Sequence, residues 1–155
     1  MSETLSIRPA YNDLPEVREL FTEYVNMLGV DLSFQSYAEE LANLPGKYSP
    51  PRGRLYLAWR GDSAAGVIGL RPYDGQACEM KRLYVRPAHR GKKIGRALVD
   101  KIIAEARQEG YSRMILDTLL SLEHAVQIYK DVGFYETEPY YHNPYPGVGY
   151  FRLDL

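Results

Sequence analysis

Apolar side chains recur every three or four positions in several parts of the chain, which is the spacing of one face of an α-helix. The first such run begins at Asp13, where a capping residue followed by Pro15 favours a helix start, and it ends at Gly29. Its apolar face consists of Leu14, Val17, Phe21, Tyr24, Val25 and Leu28. A second, shorter helix is predicted before Pro45.

Between residues 55 and 85 the apolar residues form short runs that are rich in β-branched and aromatic side chains, which is typical of strands. Gly61-Asp62 predicts a tight hairpin turn between the first two runs. A further turn at Asp74-Gly75 leads into the third run. We therefore predict three consecutive antiparallel strands at residues 55–59, 65–70 and 77–85, preceded by a short strand at residues 5–7.

The second half of the chain alternates helix and strand patterns. An apolar stripe of Ile94, Leu98, Ile102 and Ala106 predicts a helix that stops at Gly110. The strand predicted at residues 111–116 should lie parallel to the strand before that helix, because a strand-helix-strand unit returns the chain in the same direction. A last helix at residues 121–131 and closing strands at residues 134–140 and 150–155 complete the pattern. The sequence thus predicts one α+β domain over residues 1–155, with a mixed, mostly antiparallel sheet and helices on both faces.

Composition narrows the function classes. The 155 residues carry 19 basic and 20 acidic side chains, so no overall field favours nucleic acid or an anionic membrane as a partner. No segment has the layout of a signal peptide or the length of a membrane span. The lone Cys78 cannot form an internal disulfide and indicates a reducing compartment. We therefore expect a cytoplasmic protein.

Residues 85–97 read V-R-P-A-H-R-G-K-K-I-G-R-A, in which a strand runs out into a short basic loop at the start of a helix. Such a loop directs backbone N–H groups and the positive end of the helix dipole at one spot, which suits a phosphate or diphosphate. A solvated basic helix start explains the same residues without a ligand. The basic side chains around the spot are Arg90, Lys92, Lys93 and Arg96.

The hexapeptide R-G-K-K-I-G resembles the acetyl-CoA-binding motif of the GNAT superfamily of N-acetyltransferases, Gln/Arg-x-x-Gly-x-Gly/Ala. Arg90 and Gly95 match its first and sixth positions, and Lys93 stands where the family usually has a glycine. A left-handed backbone at Lys93 would carry strain of about 1 kcal/mol, so we expect Lys93 to be helical. The block A-V-Q-I-Y-K-D-V-G-F further along resembles a second family signature.

The resemblance implies the GNAT fold and acetyl-CoA as co-substrate, with no metal. The strand edge would hold the pantetheine arm and the loop would hold the diphosphate. The residues implied for cofactor binding are Leu83, Tyr84, Val85, Arg90, Gly91, Lys92, Lys93, Ile94, Gly95 and Arg96. The family's usual Asn at the start of the last helix falls near Leu122, where an amide is missing.

Acetyl transfer needs a deprotonated amine, a donor for the oxyanion and a proton for the departing thiolate. A backbone N–H near Val85 is the expected oxyanion donor. By resemblance, Tyr129 is the acid that protonates the thiolate, although its helical spacing with Leu122 and Val126 also fits a core residue. Glu79, within an apolar strand, is the candidate base. The alternative for Glu79 is a solvent-facing position paired with Arg113 or Lys81.

The expected activity is transfer of the acetyl group of acetyl-CoA to a primary amine, of a small molecule or an amino acid, by direct attack in a ternary complex. A binding module that senses acyl-CoA without catalysis is the alternative. Weaker candidates for the acceptor pocket are Glu23, Tyr24 and His142. The aromatic tail at residues 140–147 either walls that pocket or packs on the sheet or on a second subunit, so a homodimer is among the expected states.

Overall fold

The strands of the protein form one seven-stranded sheet in the order β1-β2-β3-β4-β5-β7-β6. The computed structural model describes residues 4–155, apart from the side chain of Phe34. Every neighbouring pair is antiparallel except β4 and β5, which are parallel, as the sequence predicts. The strands are β1 (Leu5–Pro9), β2 (Arg54–Arg60), β3 (Ser63–Pro72), β4 (Ala77–Val85), β5 (Arg113–Leu119), β6 (Tyr135–Glu136) and β7 (Val148–Asp154).

Four α-helices cover the two faces of this sheet. Their bounds are α1 (Leu14–Leu28), α2 (Tyr37–Ala42), α3 (Ile94–Glu109) and α4 (Glu123–Val132), with short 3₁₀ turns at Ser33–Gln35, Gly46–Tyr48 and Pro87–His89. Gly29, Gly110 and Gly133 each end a helix in the left-handed conformation that glycine adopts without strain. The predicted fold class, a mixed and mostly antiparallel sheet with helices, is confirmed.

The core is divided by the sheet into two apolar clusters. One cluster packs α3 and α4 against one face and includes Leu98, Ile102 and Met114. The other packs α1 against the opposite face and includes Phe21, Leu57 and Val67. Because side chains alternate along a strand, the central strands β2, β3 and β4 contribute to both clusters.

The parallel pairing of β4 and β5 is short. It covers three positions, from Ala77 opposite Arg113 to Glu79 opposite Ile115. Beyond Glu79, the pairing of β4 with β3 shifts its register, and Arg82 takes a positive φ of 63° at this irregularity. β4 then continues without β5 beside it, so an opening forms between the two strands on this side of the sheet.

The C-terminal part departs from the prediction. β6 has only two residues, Tyr135 and Glu136, instead of the predicted strand at residues 134–140. The chain leaves the sheet edge because the Tyr140 and Tyr141 hydroxyls bind the carboxylates of Glu79 and Asp117 on one face of the sheet. The local sequence pattern cannot predict this departure of the chain, since both carboxylates are distant from the tyrosines in sequence.

Cys78 is buried, and burial raises the pKa of its thiol to about 12. The thiol is therefore protonated at neutral pH and unreactive. Within residues 4–155, no helix has both the length and the apolar character that crossing a membrane requires. The cytoplasmic location stays a prediction.

Candidate active site

A cleft of about 650 Å³ lies where β4 runs into α3 and α4. Nine of the ten residues that the sequence predicts for cofactor binding line it, and the exception is Lys92, which is exposed. Tyr24 and Met27 of α1 close one side, and His89 stands at the loop. The α4 residues that line the other side are Glu123, His124, Ala125 and Ile128. Sequence reasoning missed these contributions from α4, because Glu123 and His124 look like ordinary exposed helix positions.

The backbone N–H groups from Gly91 to Arg96 have no hydrogen-bond acceptor in the described part of the chain. The first helical bond of α3 runs from the Ala97 N–H to the Lys93 carbonyl, at 3.1 Å. Five of these six residues line the cleft. Unpaired amides at a helix N-terminus attract anions, so this wall of the cleft is suited to a phosphate group.

The sequence predicts basic side chains around the phosphate position, but two of the arginines of the loop are bound by groups of the protein. Arg90 folds back and donates from Nε to the Val85 carbonyl at 3.0 Å. Arg96 pairs with Asp100 at 3.1 Å on the exposed surface. The unpaired amides are therefore the fixed donors along the cleft, while both guanidinium groups are partly engaged by other partners.

Lys93 has a left-handed backbone, with φ of 63° and ψ of 21°, at the residue before α3. The prediction that Lys93 is helical is therefore wrong. The loop reverses direction at this residue so that the helix can begin at Ile94, and the family's glycine would make that turn without strain. For Lys93 the conformation costs about 1 kcal/mol.

Gly95 lies at a close approach between the first turn of α3 and α4. A Cβ at this position would lie 3.3 Å from Cδ1 of Ile128 and 3.8 Å from Cγ2 of Val85. The absence of a side chain thus allows the two helices and the end of β4 to come together around the cleft.

A second, smaller cavity of about 60 Å³ continues inward from the cleft. The two share Tyr24, Leu83, Leu122 and Ala125, so they are contiguous. The small cavity reaches through the opening between β4 and β5. Its polar walls include Gln35, Lys81, Asp117, Tyr129 and Asn143.

Tyr129 has features of both roles that the sequence leaves open, a core residue and an acid at the site. Its ring is buried in the core and packs edge-on against Phe134, with centroids 5.8 Å apart. Its hydroxyl makes no hydrogen bond within residues 4–155, and the residue lines the small cavity. Burial, followed by the influence of Tyr24 and Asp117, raises the pKa of this hydroxyl well above its ordinary value.

Glu79 is only 4% exposed, which excludes the solvent-facing alternative. Its carboxylate accepts from Nε of Arg71 at 2.9 Å and from the Tyr140 hydroxyl at 2.6 Å, and Lys81 Nζ lies 3.9 Å away. Arg113 pairs instead with Asp74. Glu79 is not among the described residues that line either cavity, whereas Lys81, whose Nζ lies 3.9 Å from its carboxylate, lines the small one.

Sequence reasoning missed Lys81 and Asp117 as site residues. Lys81 is 5% exposed, and burial lowers the pKa of its ammonium while Glu79 and Asp117 oppose that effect. The only signal in the sequence is that each is a charged residue inside an apolar strand. Such positions usually face solvent, and the covering segments that bury them come from distant parts of the chain.

The three weaker candidates for the acceptor pocket, which are Glu23, Tyr24 and His142, lie in different environments. Glu23 is bound by Arg86, with the nearest contact at 2.8 Å, and accepts from the Tyr84 hydroxyl at 3.3 Å. Tyr24 lines both cavities. His142 is exposed and lines neither of these two cavities. No group of three or more His, Cys, Asp or Glu side chains among the described residues is placed to hold a metal ion.

The strain at Lys93 gives a measurable prediction. Lys93→Gly and Lys93→Ala both remove the charge, but only glycine relieves the left-handed backbone. We expect the glycine variant to exceed the alanine variant by about 1 kcal/mol in free energy of unfolding, measured by urea denaturation. An alanine variant at least as stable as the glycine variant would contradict the assigned conformation.

Comparison with known proteins agrees with this geometry. The Acetyltransferase (GNAT) family model matches residues 14–134. An uncharacterized N-acetyltransferase of Schizosaccharomyces pombe is 48% identical over 145 residues, covering 92% of this chain and 89% of that protein.

Two solved structures share the fold. An acetyltransferase from Streptococcus agalactiae has a TM-score of 0.80 at 19% identity, covering 97% of this chain and 98% of its own. A GNAT family acetyltransferase from Elizabethkingia anophelis, solved with acetyl-CoA bound, has a TM-score of 0.71 at 22% identity, covering 97% and 98%. The predicted family is thereby confirmed, and the chain belongs to the GNAT family of acetyltransferases, enzymes that use acetyl-CoA as their co-substrate.

Proposed function

We propose that this enzyme transfers the acetyl group of acetyl-CoA to a primary amine, of a small molecule or an amino acid, by direct attack in a ternary complex. One observation carries the proposal. The long cleft, with its unpaired loop amides, meets the small polar cavity at the opening between β4 and β5. A donor in the cleft and an acceptor in the cavity would therefore meet at that opening.

In this proposal the diphosphate of acetyl-CoA binds the amides between Gly91 and Arg96, and the pantetheine arm runs along β4. The edge of β4 at Leu83, Tyr84 and Val85 has no β5 partner. The Val85 carbonyl accepts from Arg90, and the other backbone groups of this edge are available to the amides of the arm in the manner of an added strand. Leu122, at the position of the family's asparagine, offers only an apolar contact.

The diphosphate contact can be tested with two ligands and one variant. Gly95→Val places a branched side chain at the helix start, so we expect it to weaken acetyl-CoA binding at least tenfold, roughly 1.4 kcal/mol. Binding of S-acetylpantetheine, which lacks the diphosphate, should change less than about twofold, as measured by calorimetry. Gly75→Ala, in an open turn with nothing within 4 Å of its Cβ, is the control. Equal losses for both ligands would show that the loop does not bind the diphosphate.

Tyr129 is the proposed acid. Its hydroxyl makes no hydrogen bond within residues 4–155 and the residue lines the small cavity, so its proton can be donated to a thiolate in that cavity. The oxyanion would be stabilised by a backbone N–H of β4 near Val85.

The activity and the role of Tyr129 are tested together by release of free thiol with a panel of L-amino acids, their amides, alkylamines and polyamines. Tyr129→Phe should lower kcat about 100-fold or more with the acetyl-CoA affinity unchanged, because only the departing thiolate loses its proton donor. An unchanged kcat would remove Tyr129 from the mechanism. Tight acetyl-CoA binding without turnover of any amine would favour the alternative, a non-catalytic acyl-CoA sensor.

Glu79 is proposed as the base. Because Glu79 itself does not line either cavity, the proton of the amine would reach its carboxylate through one or two water molecules. Its place on the same face as Lys81 and Asp117, which line the cavity, supports this path.

Glu79→Gln should lower kcat about tenfold or more at neutral pH while the acetyl-CoA affinity stays unchanged. Glu105→Gln is a matched control, since Glu105 is a half-buried carboxylate paired with Arg54 at 3.0 Å, away from both cavities. If the two variants have equal kcat values, Glu79 is not the base.

The remaining expectations stay predictions. We propose a small-molecule amine as the partner and a cytoplasmic location. The expected homodimer, and the expectation that neither nucleic acid nor membrane is a partner, rest on the sequence alone.

A further inference from the structure

One carboxylate oxygen on the wall of the small cavity has no hydrogen bond. Asp117 Oδ2 accepts from the Tyr141 hydroxyl and, at 3.1 Å, from Nδ2 of Asn143. Asp117 Oδ1 has no donor within hydrogen-bond distance in residues 4–155, although the side chain is only 7% exposed. This oxygen is open to the cavity that Asp117 lines, so a ligand in the cavity can donate a hydrogen bond to it.

The neighbouring cation is also incompletely bonded. Lys81 Nζ carries three N–H donors and gives one hydrogen bond, to Oε1 of Gln35 at 3.2 Å. Asp117 Oδ1 lies 3.7 Å from Nζ and Glu79 Oε2 lies 3.9 Å from it. Both distances exceed a hydrogen bond, so these are ion pairs without direct bonding. An unused acceptor and unused donors therefore lie side by side on one cavity wall.

The charges around this wall already balance. The cations are Arg71, Lys81 and Arg82, and the carboxylates are Glu40, Glu79 and Asp117, three of each sign, with every side chain at most 20% exposed. Arg82 pairs with Glu40 at 3.0 Å and Arg71 with Glu79 at 2.9 Å. A ligand that brings a single charge would leave it without a counter-charge in a poorly hydrated site. A ligand with one charge of each sign keeps the balance.

We infer that the acceptor is an α-amino acid, whose ammonium binds Asp117 Oδ1 and whose carboxylate binds Lys81 Nζ. In an α-amino acid the two charged groups are joined through one carbon, which matches a donor and an acceptor 3.7 Å apart. The inference rests on the proposed function and names the substrate class for it.

An amine bound to Asp117 would lie in the cavity where acetyl transfer is proposed to take place. Tyr129 lines the same cavity, so the amine on Asp117 lies beside the group that would protonate the thiolate. The ammonium first gives one proton to the base. Its lone pair then attacks the thioester carbonyl, the N–C bond forms, the C–S bond breaks and the thiolate takes the proton of Tyr129. The new amide nitrogen gives up its second excess proton to the Tyr129 phenolate, which restores the hydroxyl. Acetyl-CoA and the amino acid become CoA and the N-acetylamino acid.

The first test uses the wild-type enzyme and matched ligands, so it does not depend on how a variant folds. For each L-amino acid, thiol release is compared with its amide, which keeps the amine, and with the decarboxylated amine. Tyrosine, tyrosinamide and tyramine are one such set. We expect kcat/KM of the best free acid to exceed that of its amide and its amine at least tenfold. Equal values for the three ligands would overturn the inference.

The second test uses variants. Asp117→Asn should raise KM for the best amino acid at least tenfold, with the acetyl-CoA affinity unchanged as proof of folding. Lys81→Met should abolish the preference for the acid over the amide, a result that mere structural damage does not produce. The matched control is Asp131→Asn on the exposed surface of α4, where Asp131 accepts a hydrogen bond from Gln127 at 2.8 Å. Unchanged KM in Asp117→Asn and an unchanged acid preference in Lys81→Met would overturn the assignment.

Calorimetry separates this inference from the proposed function. Amino acid binding to the CoA-bound protein is measured for the wild type and for Asp117→Asn. Binding that requires Asp117, without turnover of any amine, would support the inference and reject the proposed catalysis. Turnover that prefers amides or plain amines would support the catalysis and reject the inference. Neither turnover nor Asp117-dependent binding would reject both.

Discussion

The early end of the pairing between β4 and β5 is the constraint on which the site depends. The two strands pair over three positions and then separate, which leaves the backbone of β4 beyond Glu79 without a strand partner on that side. Backbone N–H and C=O groups in such a place need other partners. The separation creates both the cleft, on the side of α3 and α4, and the small cavity that reaches through the sheet.

The opposite face of the sheet carries charges that the chain must cover and balance. Two segments that are distant in sequence, residues 31–35 and residues 141–145, cover these charges, and hydrogen bonds join the two segments to each other. The Tyr145 hydroxyl both accepts from the Asp31 N–H at 2.7 Å and donates to the Asp31 carbonyl at 3.0 Å, and Gln35 donates to Tyr141 at 2.8 Å. Buried charges are tolerated because almost every polar atom finds a partner. The unmatched atoms at Asp117 and Lys81 are therefore informative, since they face the cavity.

The loop that precedes α3 carries backbone strain at one residue. Lys93 adopts the strained backbone that the turn into α3 requires, where glycine would avoid strain. Strain of this kind persists where the surrounding structure fixes the conformation. The loop keeps its geometry, and the amides before Ala97 stay unpaired.

The sequence by itself determined the succession of strands and helices along the chain, the parallel pairing around α3 and the position of the loop at residues 85–97, because these follow from periodicity, glycine positions and short motifs. It could not determine the length of β6 or the backbone of Lys93, which distant contacts and the direction of the chain decide. Lys81 and Asp117 lie 36 positions apart and look like ordinary charged residues in strands. Only the tertiary structure brings them together, because the parallel pairing of β4 with β5 and the covering loops bury both charges at one cavity.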